Sequence, residues 1–72
     1  MLVYRVRHPI VVGRGTAQGR IITQTLPIGA LIKLPYRTPL IGLIGGRWEG
    51  QLVYIFAHDL IANADPILLE VR

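Results

Sequence analysis

His8 and His58 have the chemistry of a general base or a metal ligand, and they lie far apart in this 72-residue chain. Neither has a second His or a Cys at the spacing of a metal site. The one carboxylate beside either of them is Asp59, which is placed to cap a helical turn beginning after it. We therefore predict surface or capping roles for both histidines and no metal site.

Nucleophiles and phosphate-binding loops are equally poorly represented. The chain contains neither Ser nor Cys, and no base adjoins any Thr in the sequence. Gly13, Gly15 and Gly19 are spaced one residue wider than the dinucleotide fingerprint, and a strand pattern follows where that fingerprint requires a helix. The sequence predicts a flexible loop over residues 13 to 19 and no cofactor, and it favours a protein without enzymatic activity over an enzyme.

Arginine supplies the remaining candidate chemistry, since the chain carries a formal net charge of +4 with Lys33 as its single lysine. Guanidinium groups bind phosphate and carboxylate in a bidentate manner. A nucleic-acid or anion surface would consist of Arg5, Arg7, Arg14, Arg20 and Arg37, with Tyr36 as a stacking residue. These cations are dispersed along the chain, so solvation of outward strand positions is the favoured interpretation and nucleic-acid binding the alternative.

Short apolar runs rich in Val, Ile, Leu and Tyr, each ended by Gly or Pro, predict an all-β fold. Pro27 and Gly29 favour a type I turn, and Gly45-Gly46 has the composition of a tight hairpin turn. A short helical turn is expected over residues 57 to 65. The predicted strands cover residues 2–7 with a continuation over 9–12, then 20–25, 30–34, 40–44, 47–56 and 67–71.

Trp48 lies in the predicted strand 47–56, whose alternation divides it into two faces. The apolar and aromatic face consists of Trp48, Gly50, Leu52, Tyr54 and Phe56, so we expect Trp48 to close the core. Val53 and Ile55 fall on the opposite face. They are therefore predicted to form an outward apolar patch for self-association.

The composition also favours association between copies. A chain this short buries only about 60 to 65 percent of its unfolded surface, yet 51% of its residues are hydrophobic and it has no Cys to form disulfides. We expect one domain over residues 1–72 that forms a homo-oligomer. No apolar run approaches the roughly 18 residues of a membrane helix, and the lack of Cys fits a reducing compartment. A cytoplasmic protein without membrane contact is predicted.

The order of a long first loop, hairpin strands, a short helical turn and a closing strand resembles an SH3-like barrel. The resemblance covers roughly residues 8–71 and is carried by "GALIKL", the strand with Trp48, and "AHDLIANA". It implies a small barrel of about five strands. The basic loop "GRGTAQG" replaces the acidic loop of peptide-binding SH3 domains, which argues against proline-rich ligands that carry Arg.

A second, fainter resemblance is to the plasmid-type dihydrofolate reductases, whose SH3-like barrels form a homotetramer around a pore. "GTAQGRIIT" is similar to their "GAAWQGQIVG", with Gln18 and Gly19 matching. This chain has Leu52 to Ile55 where the substrate-contacting segment of that family reads "VQIY". The resemblance implies a shared architecture and makes a pore-forming reductase the third hypothesis. A self-associating binding module for a protein partner ranks first, and a nucleic-acid-binding barrel ranks second.

Overall fold

The computed structural model describes residues 2–67, which form one antiparallel sheet and a short helix. The spatial order of the strands is β3-β2-β6-β5-β4-β1-β7, and β1 pairs with both β4 and β7. The elements in chain order are β1 (Leu2–Val6), β2 (Ile10–Gly15), β3 (Ile21–Leu26), β4 (Leu31–Leu34), β5 (Leu43–Trp48), β6 (Gln51–Phe56), α1 (Ala57–Asn63) and β7 (Ala64–Ile67).

The core lies on the inner face of this sheet, because alternate strand residues are apolar and buried. In β2 and β4 the buried positions alternate with exposed ones. The helix α1 covers one end of the core with Ala57 and Leu60. The largest fully buried side chains are Val6, Ile10, Leu26, Ile32, Leu34, Val53, Ile55 and Leu60.

The predicted all-β fold with a short helix before the last strand is confirmed. The sheet has seven strands instead of about five, because the predicted continuation of the first strand is a separate strand, β2, which begins at Ile10, ends at Gly15 and pairs with β3. The predicted loop over residues 13 to 19 is therefore wrong for residues 13–15, which belong to β2. Within residues 2–67, β3 and β7 are the ends of the strand order and do not pair with each other. Pairing between these strands therefore does not close the sheet into a barrel. The last predicted strand begins earlier, at Ala64, and its residues 68–71 lie outside the described part.

Two predicted turns are displaced in the structure. The Ala30 N–H donates to the Pro27 carbonyl at 3.1 Å, and Gly29 has a φ of 89°. A positive φ at the third position belongs to a type II turn, so the predicted type I turn one residue earlier is wrong. Gly45 and Gly46 do not form a turn either, because both lie inside β5.

The β5–β6 hairpin turns at Glu49 and Gly50, whose φ angles are 49° and 77°. Positive φ at both central residues is the signature of a type I′ turn. Trp48 and Gln51 flank the turn directly and are paired opposite one another, so they share a face of the sheet. The prediction assumes one uninterrupted strand over residues 47–56, in which side chains alternate through Glu49 and Gly50. Because these two residues form the turn, every side chain after them points to the face opposite to the one predicted.

Val53 and Ile55 are both 0% exposed and belong to the core. The prediction that they point outward is wrong, and two buried side chains cannot provide a surface for self-association. Leu52 and Phe56, which were expected inside, are exposed instead. Trp48 is partly buried and packs against the core cluster, so it closes the core as predicted, at the edge of the cluster. Within residues 2–67 no helix is long and apolar enough to cross a membrane.

Candidate functional site

An open apolar groove lies on the outer face of the sheet, on the side away from the core, where strands β3, β2, β6 and β5 are neighbours. Its volume is about 350 Å³. We call it the outer groove. Its lining residues are Val11, Val12, Gly13, Ile21, Thr23, Leu43, Tyr54 and Phe56.

The strand register explains why a groove forms here. Tyr54 lies between Gly13 of β2 and Gly45 of β5, its direct partners in the two neighbouring strands. A Cβ atom at Gly13 would lie 3.2 Å from Ile21 Cγ2 and 3.7 Å from Tyr54 Cβ. Because Gly13 has no side chain, Ile21 and Tyr54 can pack over its backbone. The backbone at Gly13 is therefore part of the floor of the groove.

The outer groove is uncharged, although the chain has a formal net charge of +4. Val11, Ile21, Leu43 and Phe56 are 58%, 70%, 57% and 52% exposed. If each large side chain has a full surface of roughly 200 Å², these four leave on the order of 500 Å² of apolar surface in water. The largest apolar patch on a typical monomeric protein is roughly 300–600 Å² and is often a functional surface.

A basic row occupies the outer face of the other strands. Lys33 of β4 is paired opposite Arg47 of β5. On its other side Lys33 is paired with Val3 of β1, and Arg5, two residues along β1, is its diagonal neighbour. Directly opposed like charges destabilise a sheet, so a bound anion would relieve repulsion here. A cleft of about 580 Å³ adjoins this row and includes Trp48. The sequence analysis missed the Lys33–Arg47 pairing, because only the register reveals it.

The predicted arginine set does not gather into one surface. Arg5 lies on β1, while Arg14 lies on β2, and strands β6, β5 and β4 stand between them. Arg20 lies at the tip of the β2–β3 hairpin. Arg37 and Tyr36 belong to the connection between β4 and β5, where Arg37 has a φ of 64°.

Two of these arginines have side-chain partners within the chain. Arg7 donates to the Ala62 carbonyl at 2.7 Å and forms an ion pair with Asp65 at 3.5 Å. Arg14 is partly buried and donates from Nη1 to Gln51 Oε1 at 3.1 Å. It borders a cleft of about 620 Å³ that shares Tyr54 with the outer groove. Both arginines therefore have structural contacts of their own.

The histidines lie apart from the outer groove's lining. His8 is exposed in the connection between β1 and β2. His58 is exposed in the first turn of α1, with Nε2 3.2 Å from Asp59 Oδ1. Asp59 does not cap the helix: α1 begins at Ala57, before it, and the N-cap residue Phe56 makes no capping hydrogen bond through its side chain.

Comparison with known proteins gives no match: neither a protein-family model, nor a curated protein, nor a solved structure is significantly similar to this chain. The resemblances to SH3-like barrels and to plasmid-type dihydrofolate reductases therefore depend on sequence pattern alone. The geometry of the outer groove and of the basic row must carry any functional argument.

Proposed function

We propose that this protein is a non-enzymatic, self-associating binding module, and that the outer groove binds an apolar segment of a protein partner. The observation that carries the proposal is the absence of charge from an open apolar groove in a basic chain. Burying such a surface against apolar side chains is favourable by about 25 cal/mol for each Å² removed from water. A charged ligand would lose its hydration there without gaining an ionic partner.

The groove also offers a small number of polar contacts. Thr23 and Tyr54 line it and carry hydroxyl groups, each of which can donate and accept a hydrogen bond. Most of the lining is aliphatic or aromatic, a combination typical of sites that take one or two anchoring side chains. The expected ligand is therefore a peptide segment with an aromatic or branched aliphatic anchor.

Selection of peptides from a random displayed library on the purified protein tests this proposal. Leu43→Glu places a carboxylate in the groove, and we expect it to weaken the selected peptides at least tenfold. The matched control is Leu31→Glu on β4, where an exposed Leu outside the groove lining is replaced. Binding is measured by titration calorimetry, after circular dichroism has shown that both variants are folded.

Enrichment of apolar peptides that bind the two Glu variants differently is the supporting result. Equal loss in both variants, or selection of acidic peptides only, would contradict the groove proposal. A library that yields no binder at all would also count against it, because an open apolar patch of this size should select ligands.

A second candidate function is nucleic-acid binding, which the row of Arg5, Lys33 and Arg47 favours. In that case affinity for single-stranded DNA should fall steeply as salt increases, because phosphate contacts release counterions. The double variant Lys33→Ala/Arg47→Ala should lower the slope of log affinity against log salt concentration by about two, one for each lost phosphate contact. Arg20→Ala, at the hairpin tip, should leave that slope nearly unchanged. Affinity that is independent of salt would dismiss this candidate.

A further inference from the structure

Strand β3 has a free edge in the part of the chain that the structure describes. It pairs with β2 on one side, and no strand in residues 2–67 pairs with its other side. The Thr16 N–H donates to the Arg20 carbonyl at 2.8 Å, so these two residues form a hydrogen-bonded pair of the hairpin. Hydrogen-bonded and non-hydrogen-bonded pairs alternate along an antiparallel ladder, so every second residue of β3 from Arg20 onward bonds to β2. Ile22, Gln24 and Leu26 accordingly bond to β2. The backbone groups that point away from the sheet belong to Ile21, Thr23 and Thr25.

This edge lacks the features that normally prevent pairing with another chain. β3 reads "IITQTL", with no charged residue and no Pro between Ile21 and Leu26. Proteins usually protect an edge with Lys, Pro, a bulge or a covering element. By contrast, β7 at the other end of the strand order contains Asp65 and Pro66. The two ends of the sheet therefore differ in their capacity to accept a further strand.

We infer that β3 pairs antiparallel with β3 of a second copy of this chain, with Thr23 on the two-fold axis. In this register Thr23 is opposite Thr23, and Ile21 is opposite Thr25, so all outward N–H and C=O groups of the three residues find partners. A shift of two residues in one direction brings in Pro27, which has no N–H. A shift in the other direction leaves Thr25 beyond the end of the partner's strand.

The charge distribution is compatible with a second copy as the occupant of this edge. Each copy carries a formal net charge of +4, yet none of that charge lies on β3. In the proposed register the two Arg20 residues stand at opposite ends of the junction. They would be roughly 20 Å apart along the strands, well beyond the screening length of about 8 Å at physiological salt.

The junction is small, and this sets the expected strength. Two six-residue edges bury much less than the about 800 Å² per partner of a standard interface. The contact consists of the edge hydrogen bonds and cross-strand contacts between Ile and Thr side chains. We expect a dissociation constant on the order of 10–100 µM rather than nanomolar.

The same pairing would complete the outer groove. Ile21 and Thr23 line the groove at the edge of the sheet, and in the dimer they would adjoin Thr25 and Thr23 of the second copy. Both grooves would then open on the same side of one continuous sheet. This inference rests on the self-association in the proposed function, and it is independent of whether the groove binds a peptide.

Sedimentation equilibrium from 10 µM to 1 mM tests the inference with two variants at Thr25, a residue outside the groove lining. Thr25→Pro removes an outward N–H without breaking a hydrogen bond to β2, and we expect it to weaken dimerisation at least tenfold. The control, Thr25→Val, keeps the N–H and should dimerise like the original chain. A chain that is monomeric at 1 mM, or a Thr25→Pro variant that dimerises unchanged, overturns the inference.

Amide hydrogen exchange identifies the edge directly. Exchange at Ile21, Thr23 and Thr25 should slow at least threefold as concentration rises from 10 µM to 1 mM, while the neighbouring even-numbered amides stay equally protected. Protection that is the same at every concentration would overturn the inference, because a segment of the same chain would then cover the edge. The peptides selected from the library can also be titrated against Thr25→Pro. Binding with full affinity would support the groove proposal whether or not the chain dimerises.

Discussion

Replacing Ile55 with Ala is expected to lower the free energy of unfolding by about 3 kcal/mol, within the 2–5 kcal/mol typical of such core truncations. Ile55 is 0% exposed and lies in β6, opposite Ile44 of β5. Its removal leaves a cavity that the paired strands cannot readily close. Because a small domain is stable by only about 5 kcal/mol, this variant should lose more than half of its stability.

The matched control is Phe56→Ala, one residue farther along the same strand. Phe56 is half exposed on the outer face, so its truncation should cost less than about 1 kcal/mol. Urea denaturation followed by circular dichroism measures both variants at low micromolar concentration, where the proposed dimer is dissociated. Uninterrupted alternation along residues 47–56 predicts the reverse order, with Phe56 inside and Ile55 outside. A larger loss at Phe56 would therefore contradict the facing seen in the structure.

The fold class could be predicted because it depends on local pattern. Short apolar runs punctuated by Gly and Pro identify strands wherever they occur, and residues 57 to 65 were long enough only for a short helix. The facing of β6 could not be predicted in the same way. It depends on which two residues make the hairpin turn, and a shift of the turn changes the side to which each later residue points.

Local composition indicates the wrong turn, because Gly45-Gly46 has the composition of a tight turn and Glu49-Gly50 does not. Glu at a positive φ is unfavourable for an isolated residue, since its Cβ crowds the backbone there. Pairing of Ile44 with Ile55 and of Gly46 with Val53 buries four inward positions, and this packing overrides the local preference of Glu49. Tertiary context thus decided where the hairpin reverses.

The candidate site could not be predicted from the sequence for a related reason. The outer groove joins residues from four strands that are adjacent only through the sheet order, and the glycine in its lining, Gly13, carries no functional signal in the sequence. The surplus of apolar residues did predict that some apolar surface would remain exposed. The register alone could show that this surface is Val11, Ile21, Leu43 and Phe56 instead of Val53 and Ile55.

Gly46→Ala is expected to destabilise the protein by about 1–3 kcal/mol, as overpacking of a core does. A Cβ atom at Gly46 would lie 2.8 Å from Leu34 Cδ2, 3.1 Å from Ile32 Cγ2 and 3.3 Å from the Lys33 carbonyl oxygen. Both apolar neighbours are completely buried and have little room to move. The close approach of β4 therefore requires Gly at this position, although no turn does.

Gly45→Ala provides the control, since the adjacent residue of the same strand points outward. Its Cβ would meet only Leu52 Cδ1, at 3.6 Å, which is ordinary van der Waals contact. Ala should be neutral there or stabilising by up to about 1 kcal/mol, because it reduces the conformational freedom of the unfolded chain. Thermal and urea denaturation of the two variants measure the difference. Equal effects at both positions would mean that β4 does not pack against Gly46, and the inner face would then have to be assigned differently.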